Sequence, residues 1–289
     1  MTHNLIKDKL ARNEFFCAPG IQDMISAVVA KEIGFDAVYA SGYWMGASAY
    51  GVPDAGITTY TQMVDRVATL VKTVGTSAVI ADADTGYGGL LNMRETVRGY
   101  EAAGAQVIQI EDQEFPKKCG HTKNKRVIPM QEMVTKIKVA IESRSSDNTL
   151  ISARTDAYQS EGLSGLMRRM EAYCKAGADI IFPEALTSEQ EMHEVCSSFE
   201  TPAMANMADG GDTPILTAKE LADIGFAFAI FPATASLAAA SAVKNALLSI
   251  KQTGTSVNSN VELYDFSDFC KLIGFEDVWD FEEKWISED

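Results

Sequence analysis

Four times along this chain the same junction recurs: a helix-period stretch ends in Gly, one or two residues follow, and a short apolar run begins. The junctions are Ile33-Gly34-Phe35-Asp36, Ala103-Gly104-Ala105-Gln106, Ala176-Gly177-Ala178-Asp179 and Ile224-Gly225-Phe226-Ala227. Gly accepts the left-handed conformation that ends a helix, so each junction reads as a helix returning the chain to a strand. Eight apolar runs qualify as strands: Phe15–Ala18, Ala37–Ala40, Ala78–Ala81, Gln106–Ile110, Leu150–Ala153, Asp179–Phe182, Ala203–Ala205 and Phe228–Phe231. Strands alternating with amphipathic segments are the pattern of parallel βαβ units. An open doubly wound sheet would show the same local pattern, but eight units in succession favour closure. The expected fold is an α/β (β/α)8 barrel of the TIM type over residues 1–252.

Beyond the helix at Leu237–Lys251 lies a polar linker, Thr253–Asn260, and then a tail with apolar residues at helical spacing, among them Phe266, Phe269, Val278, Trp279, Phe281 and Trp285. Residues 253–289 are therefore expected to form a linker and a helical tail. So aromatic a tail needs a surface, either its own barrel or a neighbouring subunit.

Composition narrows the function. Net charge is 25 − 40 = −15, which argues against nucleic acid or an anionic membrane as partner. A small anionic substrate is still allowed, because a bound metal and a few cations can dominate the field within a pocket. Five cysteines, an odd number with no CxxC pair, read as reduced thiols in a reducing compartment. The first residues lack the basic flank and apolar run of a signal peptide, and no apolar run reaches the ~18 residues a membrane span needs. A cytoplasmic protein is expected.

In an α/β barrel, chemistry collects where strands end and the following loops begin. Here those positions carry Tyr39 to Tyr43, Asp82 and Asp84, Glu111 and Asp112, Arg154 to Asp156, Glu184 and Asn206. Asp82 and Asp84 are spaced i, i+2 and project to one side while the strand persists. Two carboxylates aimed into one pocket repel unless a cation or shared proton lies between them, and oxygen ligands of this kind suit Mg²⁺. The plainer alternative is that one Asp caps a helix and the other faces solvent; Glu111 and Asp112 at the next strand end weigh against it. Arg154 suits bidentate binding of a substrate carboxylate, or else a structural ion pair with Glu184 or Asp156.

The stretch Gln113–Pro129 is charged, contains Gly and has no period. Long loops of this kind in compact domains tend to be functional or disordered. Cys119 lies between Lys118 and Gly120, close to Lys117 and His121, and neighbouring cations favour a thiolate. Such a thiol could exchange a proton as the loop closes and excludes water. The alternative is a solvated basic loop with an incidental cysteine.

Together the segments Ser41-Gly42-Tyr43, Asp82-Ala83-Asp84-Thr85-Gly86, Glu111-Asp112-Gln113, Pro116-Lys117-Lys118-Cys119-Gly120-His121, Ala153-Arg154-Thr155-Asp156, Pro183-Glu184 and Asn206-Met207 resemble the isocitrate lyase/phosphoenolpyruvate mutase superfamily. They follow its order across roughly residues 10 to 250, and the Lys-Lys-Cys-Gly-His segment resembles its lyase branch. The resemblance implies that Asp82 and Asp84 hold Mg²⁺ (Mn²⁺ as substitute) directly or through water, with Glu111 in the outer shell. It implies that Ser41, Gly42, Tyr43 and Gly120, assisted by Arg154, bind the 2-hydroxy-acid end of a small di- or tricarboxylate, with Glu184 and Asn206 on the far side. It also implies a homotetramer with exchanged terminal helices. Cys119, flanked by Lys117 and His121, would protonate the enediolate left by C2–C3 cleavage; Tyr39 and Tyr43 both remain candidates for the base.

For the substrate, Ser-Gly-Tyr at 41–43 and the stretch Asn206–Gly211 resemble the dimethylmalate lyase and petal-death-protein group. Methylisocitrate lyases differ in having Gly at position 43 and an arginine where Leu237 aligns. A missing cation counts against a third carboxylate, because an unpaired buried charge costs several kcal/mol. Cleavage of (2R,3S)-2,3-dimethylmalate to pyruvate and propionate is the expectation, with methylisocitrate next. A phosphonate mutase or hydrolase would share the barrel and metal site but carry other residues on the Cys119 loop; an oxaloacetate-acting member is a further alternative. A Schiff-base aldolase would need a lysine at a strand end, and none is there.

Overall fold

A computed structural model describes residues 4–120, 125–257 and 261–286. The chain runs α1 (Leu5–Ala11), β1 (Phe16–Ile21), α2 (Met24–Ile33), β2 (Ala37–Ala40), α3 (Gly42–Tyr50), α4 (Tyr60–Val74), β3 (Ala78–Asp82), α5 (Leu90–Ala103) and β4 (Val107–Glu111). It continues through α6 (Met130–Ser143), β5 (Leu150–Thr155), α7 (Tyr158–Ala176), β6 (Ile180–Pro183), α8 (Glu189–Ser198), β7 (Met204–Asn206), α9 (Ala218–Ile224), β8 (Phe228–Phe231) and α10 (Thr234–Thr253). The tail forms α11 (Phe266–Leu272) and α12 (Phe275–Trp285).

The eight strands pair in parallel in the order β6-β5-β4-β3-β2-β1-β8-β7. The ring closes between β6 and β7 through a bridge from Ile181 to Ala203, with Ile181 N donating to Pro202 O at 2.9 Å. This is the expected (β/α)8 barrel. The four glycine junctions do what their pattern implies: Gly34, Gly104, Gly177 and Gly225 end α2, α5, α7 and α9 with φ of 87°, 95°, 97° and 114°.

Strand alternation divides the barrel's apolar residues into two sets. Val79 and Ala81, Ile108 and Ile110, and Ile151 and Ala153 face outward into the core shared with the helices. Ala78 and Ile80, Val107, Leu150, Ile180 and Phe182, and Phe228 and Ile230 face inward and fill the barrel. α1 seals the N-terminal end: Ile6 is buried among the inward residues, Asn4 caps the helix by accepting from Lys7 N at 2.8 Å, and its amide donates to Gln106 O at 3.1 Å.

Two features differ from expectation. Gly42 and Tyr43 do not lie in a loop but form the first turn of α3; the segment carries no charged residue and no alternation of polar and apolar faces, so no helical period announces it. The tail is two short helices rather than one, with Gly274 between them at φ 96°. Neither α11 nor α12 buries a residue, and α10 buries only Ser236.

Candidate active site

Following the inward rows upward, each strand changes from apolar to polar as it nears its C-terminal end. In β3 the row is Ala78, Ile80, Asp82; in β4 it is Val107, Gln109, Glu111; in β5 it is Leu150, Ser152, Arg154. The rows of β6 and β7 lead to Glu184 and Asn206. The site is thus the top layer of the barrel interior, aimed by the alternation that packs the core beneath it.

The first pole of the site is carboxylate-rich. β3 ends at Asp82, so Asp84 is not on the strand; it sits in a turn at φ 49°, a left-handed conformation that Asp tolerates better than most residues. Asp82 fixes this turn by accepting from Asp84 N at 3.0 Å. Strand alternation is therefore not what brings the two side chains together, although they do converge. A Cβ placed on Gly42 would lie 2.9 Å from Asp82 Oδ2 and 3.2 Å from Asp84 Oδ1, and Gly42 N donates to Asp82 Oδ2 at 3.2 Å. Glycine is required there by the carboxylates crowding its backbone.

Lys117 enters this pole from the Gln113–Pro129 loop. Its ammonium lies 2.6 Å from both Asp54 Oδ1 and Asp84 Oδ1. Burial works against that charge, but Asp84, Glu111, Asp82 and Asp54 together hold its pKa well above the lysine range. Burial pushes the Asp84 carboxyl up to about 6, with Lys117 opposing and Asp82 and Asp54 adding. Glu111, also buried, is shifted well upward, with Arg154 and Lys117 opposing.

These residues fit a hard divalent cation. The donors are all carboxylate oxygens; Glu111 Oε1 is buried without a hydrogen-bond partner, and Asp84 Oδ1, also buried, is held by the Lys117 ammonium. Among the described residues no three His, Cys, Asp or Glu side chains are grouped so that they alone could hold a metal ion. Mg²⁺ rarely requires one: it usually takes one or two carboxylates and keeps several waters or substrate oxygens.

The second pole is built on Arg154. Its guanidinium lies over the Phe182 ring at 5.0 Å and grips Asp156 bidentately, Nε to Oδ2 and Nη2 to Oδ1 both at 2.9 Å. The structural ion pair considered for Arg154 is therefore present. Arg154 nevertheless lines the cleft, with Glu111 and Glu184 carboxylates each 3.6 Å away. Asn206 Nδ2 donates to Glu184 Oε2 at 3.1 Å, placing both where the far wall was expected.

The cleft between the poles is lined by Ser41, Tyr43, Lys118, Cys119 and Gly120 together with Asp54, Asp82, Lys117, Arg154, Glu184 and Asn206, while Asp84 and Glu111 are not part of its lining. Tyr43 and Trp44 stack at 4.4 Å, and Tyr43 is raised by burial and by the nearby Cys119. Tyr39 behaves differently. It is fully buried, its hydroxyl donates to Gln109 Oε1 at 2.7 Å, and burial and Asp82 drive its pKa well above the tyrosine range. His121 lies outside the described residues.

Three participants escaped the sequence reading. Asp54 follows α3 in an irregular segment; its only signal is the Pro53–Gly56 turn. Gln109, which donates to Asp82 Oδ1 at 3.2 Å, was hidden inside an apolar strand run. Lys125, whose ammonium contacts Asp156 at 2.9 Å, resembled any loop lysine. Leu237 is 44% exposed on α10 and is not among the residues lining the cleft, where Ile230, Pro232 and Ala233 form the adjacent wall.

The sequence profile described as phosphoenolpyruvate phosphomutase matches residues 6–251. The chain belongs to this family. Within it, the chain is 39% identical over 282 residues to the 2,3-dimethylmalate lyase of Eubacterium barkeri, covering 98% of this chain and 97% of that protein. A crystal structure of 2,3-dimethylmalate lyase, described as a PEP mutase/isocitrate lyase superfamily member, matches with a TM-score of 0.91 at 30% identity, covering 98% and 96% of the two chains. A 2-methylisocitrate lyase of Bacillus subtilis (strain 168) is 40% identical over 253 residues, 86% of this chain and 83% of that protein. A crystal structure of phosphonopyruvate hydrolase, solved with oxalate and Mg²⁺, also matches, with a TM-score of 0.88 and 27% identity over 99% of this chain and 100% of that one.

Proposed function

We propose that this chain is a divalent-metal-dependent carbon–carbon lyase that cleaves 2,3-dimethylmalate to pyruvate and propionate. The observation that carries the reading is the seat of the Cys119 segment. A Cβ on Gly120 would fall 2.1 Å from Arg154 Nη2 and 3.0 Å from Glu184 Cδ, so the backbone beside the thiol rests directly on the anion-binding pole.

Roles follow from position. Asp82 and Asp84 would hold Mg²⁺, or Mn²⁺ in its place, with Glu111 behind them, and a cation there would supply Lewis-acid polarisation of the substrate's 2-hydroxy-acid end. Ser41 and the first turn of α3 receive that end of the substrate, and Arg154 its carboxylate. Tyr39, held protonated by burial, serves as a hydrogen-bond donor. Tyr43, on the cleft wall near Cys119, is the better placed of the two to meet the substrate hydroxyl, and it would take that proton only as the phenolate, the form its raised pKa disfavours. As the C2–C3 electron pair passes to C3, the pyruvate carbonyl forms. Cys119 then delivers a proton to C3 of the propionate enediolate, a step general acids accelerate by roughly 10²–10⁴-fold.

The substrate assignment rests on the near full-length likeness to a 2,3-dimethylmalate lyase and on the wall composition. Ala208, Ile230, Pro232 and Ala233 suit methyl groups and offer a third carboxylate no cation, which replaces the argument from Leu237. Methylisocitrate is the second reading, favoured by relatives of similar identity. The same reading takes the exposed apolar faces of α10 to α12 to pack on other copies of the chain, as exchanged helices of a homotetramer. The apolar groove along β1 and α2, lined by Pro19, Ile21, Val29, Ile33 and Phe35, is the surface they would cover.

The test is to incubate the protein and Mg²⁺ with 2,3-dimethylmalate, methylisocitrate, isocitrate and oxaloacetate and follow 2-oxo acid or glyoxylate. 2,3-Dimethylmalate is expected to give the highest kcat/KM, and Cys119→Ser to lose about a hundredfold or more in kcat. Turnover of methylisocitrate alone would refute the substrate, and full turnover by the Ser variant would refute the acid.

A further inference from the structure

Arg154 is surrounded by acid. Asp156 grips it bidentately, and Glu111 and Glu184 lie 3.6 Å from it. A guanidinium so matched has little positive field left for an incoming carboxylate, because close bidentate pairing is the geometry in which the two charges cancel best. Among the described residues, Lys125 is the other cation in contact with Asp156. The Lys125 side chain is 1% exposed, Asp156 is 0% exposed, and Lys125 Nζ donates to Asp156 Oδ1 at 2.9 Å, the oxygen that already accepts from Arg154 Nη2. The same ammonium contacts the carbonyl oxygen of Gly120, whose backbone rests on that Nη2.

We propose that Lys125 is a positioning residue for anion binding: it shares Asp156 with Arg154, leaving the guanidinium able to hold a substrate carboxylate, and it ties the Cys119-Gly120 segment to that same pair. The inference rests on Arg154 being the anion-binding residue of the proposed function. Removing the ammonium returns Asp156 wholly to Arg154 and makes the pole more negative by one charge. At a few ångströms, in a site mostly shielded from water, such a change is not screened away.

Oxalate serves as the probe, titrated calorimetrically into the full chain with saturating Mg²⁺, because binding needs no turnover. Lys125→Met is expected to weaken oxalate by roughly tenfold or more, the scale of one lost charge-assisted contact. Mg²⁺ affinity should stay near wild type, while the melting temperature falls because a buried ion pair loses one partner. Alkylation of Cys119 by iodoacetamide, followed by peptide mass spectrometry, should change rate in the same variant. Lys125→Arg should restore most of the oxalate affinity, which a purely structural tether would not require.

Oxalate binding to Lys125→Met at wild-type strength would overturn the proposal. So would a Met variant that does not fold, or an Arg variant that recovers nothing. Failure of oxalate to bind the wild-type chain would remove the anion pole on which this inference and the proposed function both rest. Weakened oxalate in an enzyme inactive on 2,3-dimethylmalate would refute the substrate and leave the role of Lys125 standing.

Discussion

The two ends of the barrel are built from the same strands and obey opposite rules. At the N-terminal end the inward rows begin with Ala78, Val107, Leu150 and Ile180, and Ile6 of α1 packs among them. The buried charge of that helix, Lys9, is paired at the rim with Asp36 at 2.8 Å and with Glu14. At the C-terminal end, four residues further along each row, stand Asp82, Glu111, Arg154 and Glu184; with Asp84 and Asp156 just beyond them all six are buried, and Lys117 and Lys125 are drawn in among them. One end gains stability by removing apolar surface from water. The other gathers carboxylates and cations out of water, a cost tolerated where it prepares a site for cation and anion chemistry.

If that contrast is right, the largest effect comes from neutralising the site end. Asp84→Asn should lower turnover by about a thousandfold or more, because metal stabilisation of transition-state charge is worth several kcal/mol. Stability should not fall with it. Asp84 has its pKa raised from 3.8 to about 6, so the folded chain binds a proton that the unfolded chain lacks between those values. Wild-type stability therefore gains as pH falls through 6 and loses that contribution as pH rises through it. In metal-free protein the Asn variant should match or exceed wild type at pH 8, with the difference shrinking towards pH 4. Chemical denaturation at the two pH values measures it; a variant less stable at pH 8 would show that the Asp84–Lys117 pair outweighs the cost of burial.

The converse change belongs to the plug. Ile6→Ala removes a fully buried side chain and should cost about 2–5 kcal/mol of stability. Turnover, measured well below the melting transition, should stay close to wild type. A loss of kcat comparable to that of Cys119→Ser would mean that the two ends are mechanically coupled, and the division of labour would fail.

How much of this was legible beforehand follows the same division. The barrel was written in repeated, local signals: eight apolar runs and four glycine junctions, each readable without knowing its neighbours. The strand-end residues Tyr39, Asp82, Glu111, Arg154 and Asn206 were legible because a strand's end is a place where core packing does not ask for polar groups. The convergence of Asp82 with Asp84 was anticipated for the wrong reason, since the strand stops at Asp82 and a left-handed turn does the work. Asp54 and Lys125 were illegible because each meets its partner across the fold. Asp54 reaches Lys117 from beyond α3, and Lys125 reaches Asp156 from the far limb of a loop. Nothing in a local window distinguishes such residues from solvated charges. Leu237 shows the opposite failure: an aligned position was given a place in the pocket that its helix face does not provide.

The smallest effect, and the sharpest probe of the site end, is a single methyl group. Gly42 is confined by side-chain oxygens rather than by its own backbone angles. A Cβ there would stand 2.9 Å from Asp82 Oδ2, 3.2 Å from Asp84 Oδ1 and 3.3 Å from Asp82 Cγ. Contacts this short require the carboxylates to move by a few tenths of an ångström. Asp82 has little freedom to do so, since its Oδ1 accepts from Asp84 N and from Gln109. Gly42→Ala should therefore weaken Mg²⁺ binding by roughly tenfold, the lower end of what disturbed metal-orienting contacts cost. Global stability should change by less than for Ile6→Ala, because alanine suits the first turn of a helix better than glycine does. At Gly34, at the other end of the barrel, a Cβ would meet nothing within 4 Å, and only the left-handed φ opposes substitution. Gly34→Ala should thus lower stability and leave metal affinity alone, the reverse of Gly42→Ala. Calorimetric Mg²⁺ titration and thermal denaturation of the two variants separate a glycine required by the chemistry of the site from one required by the path of the chain.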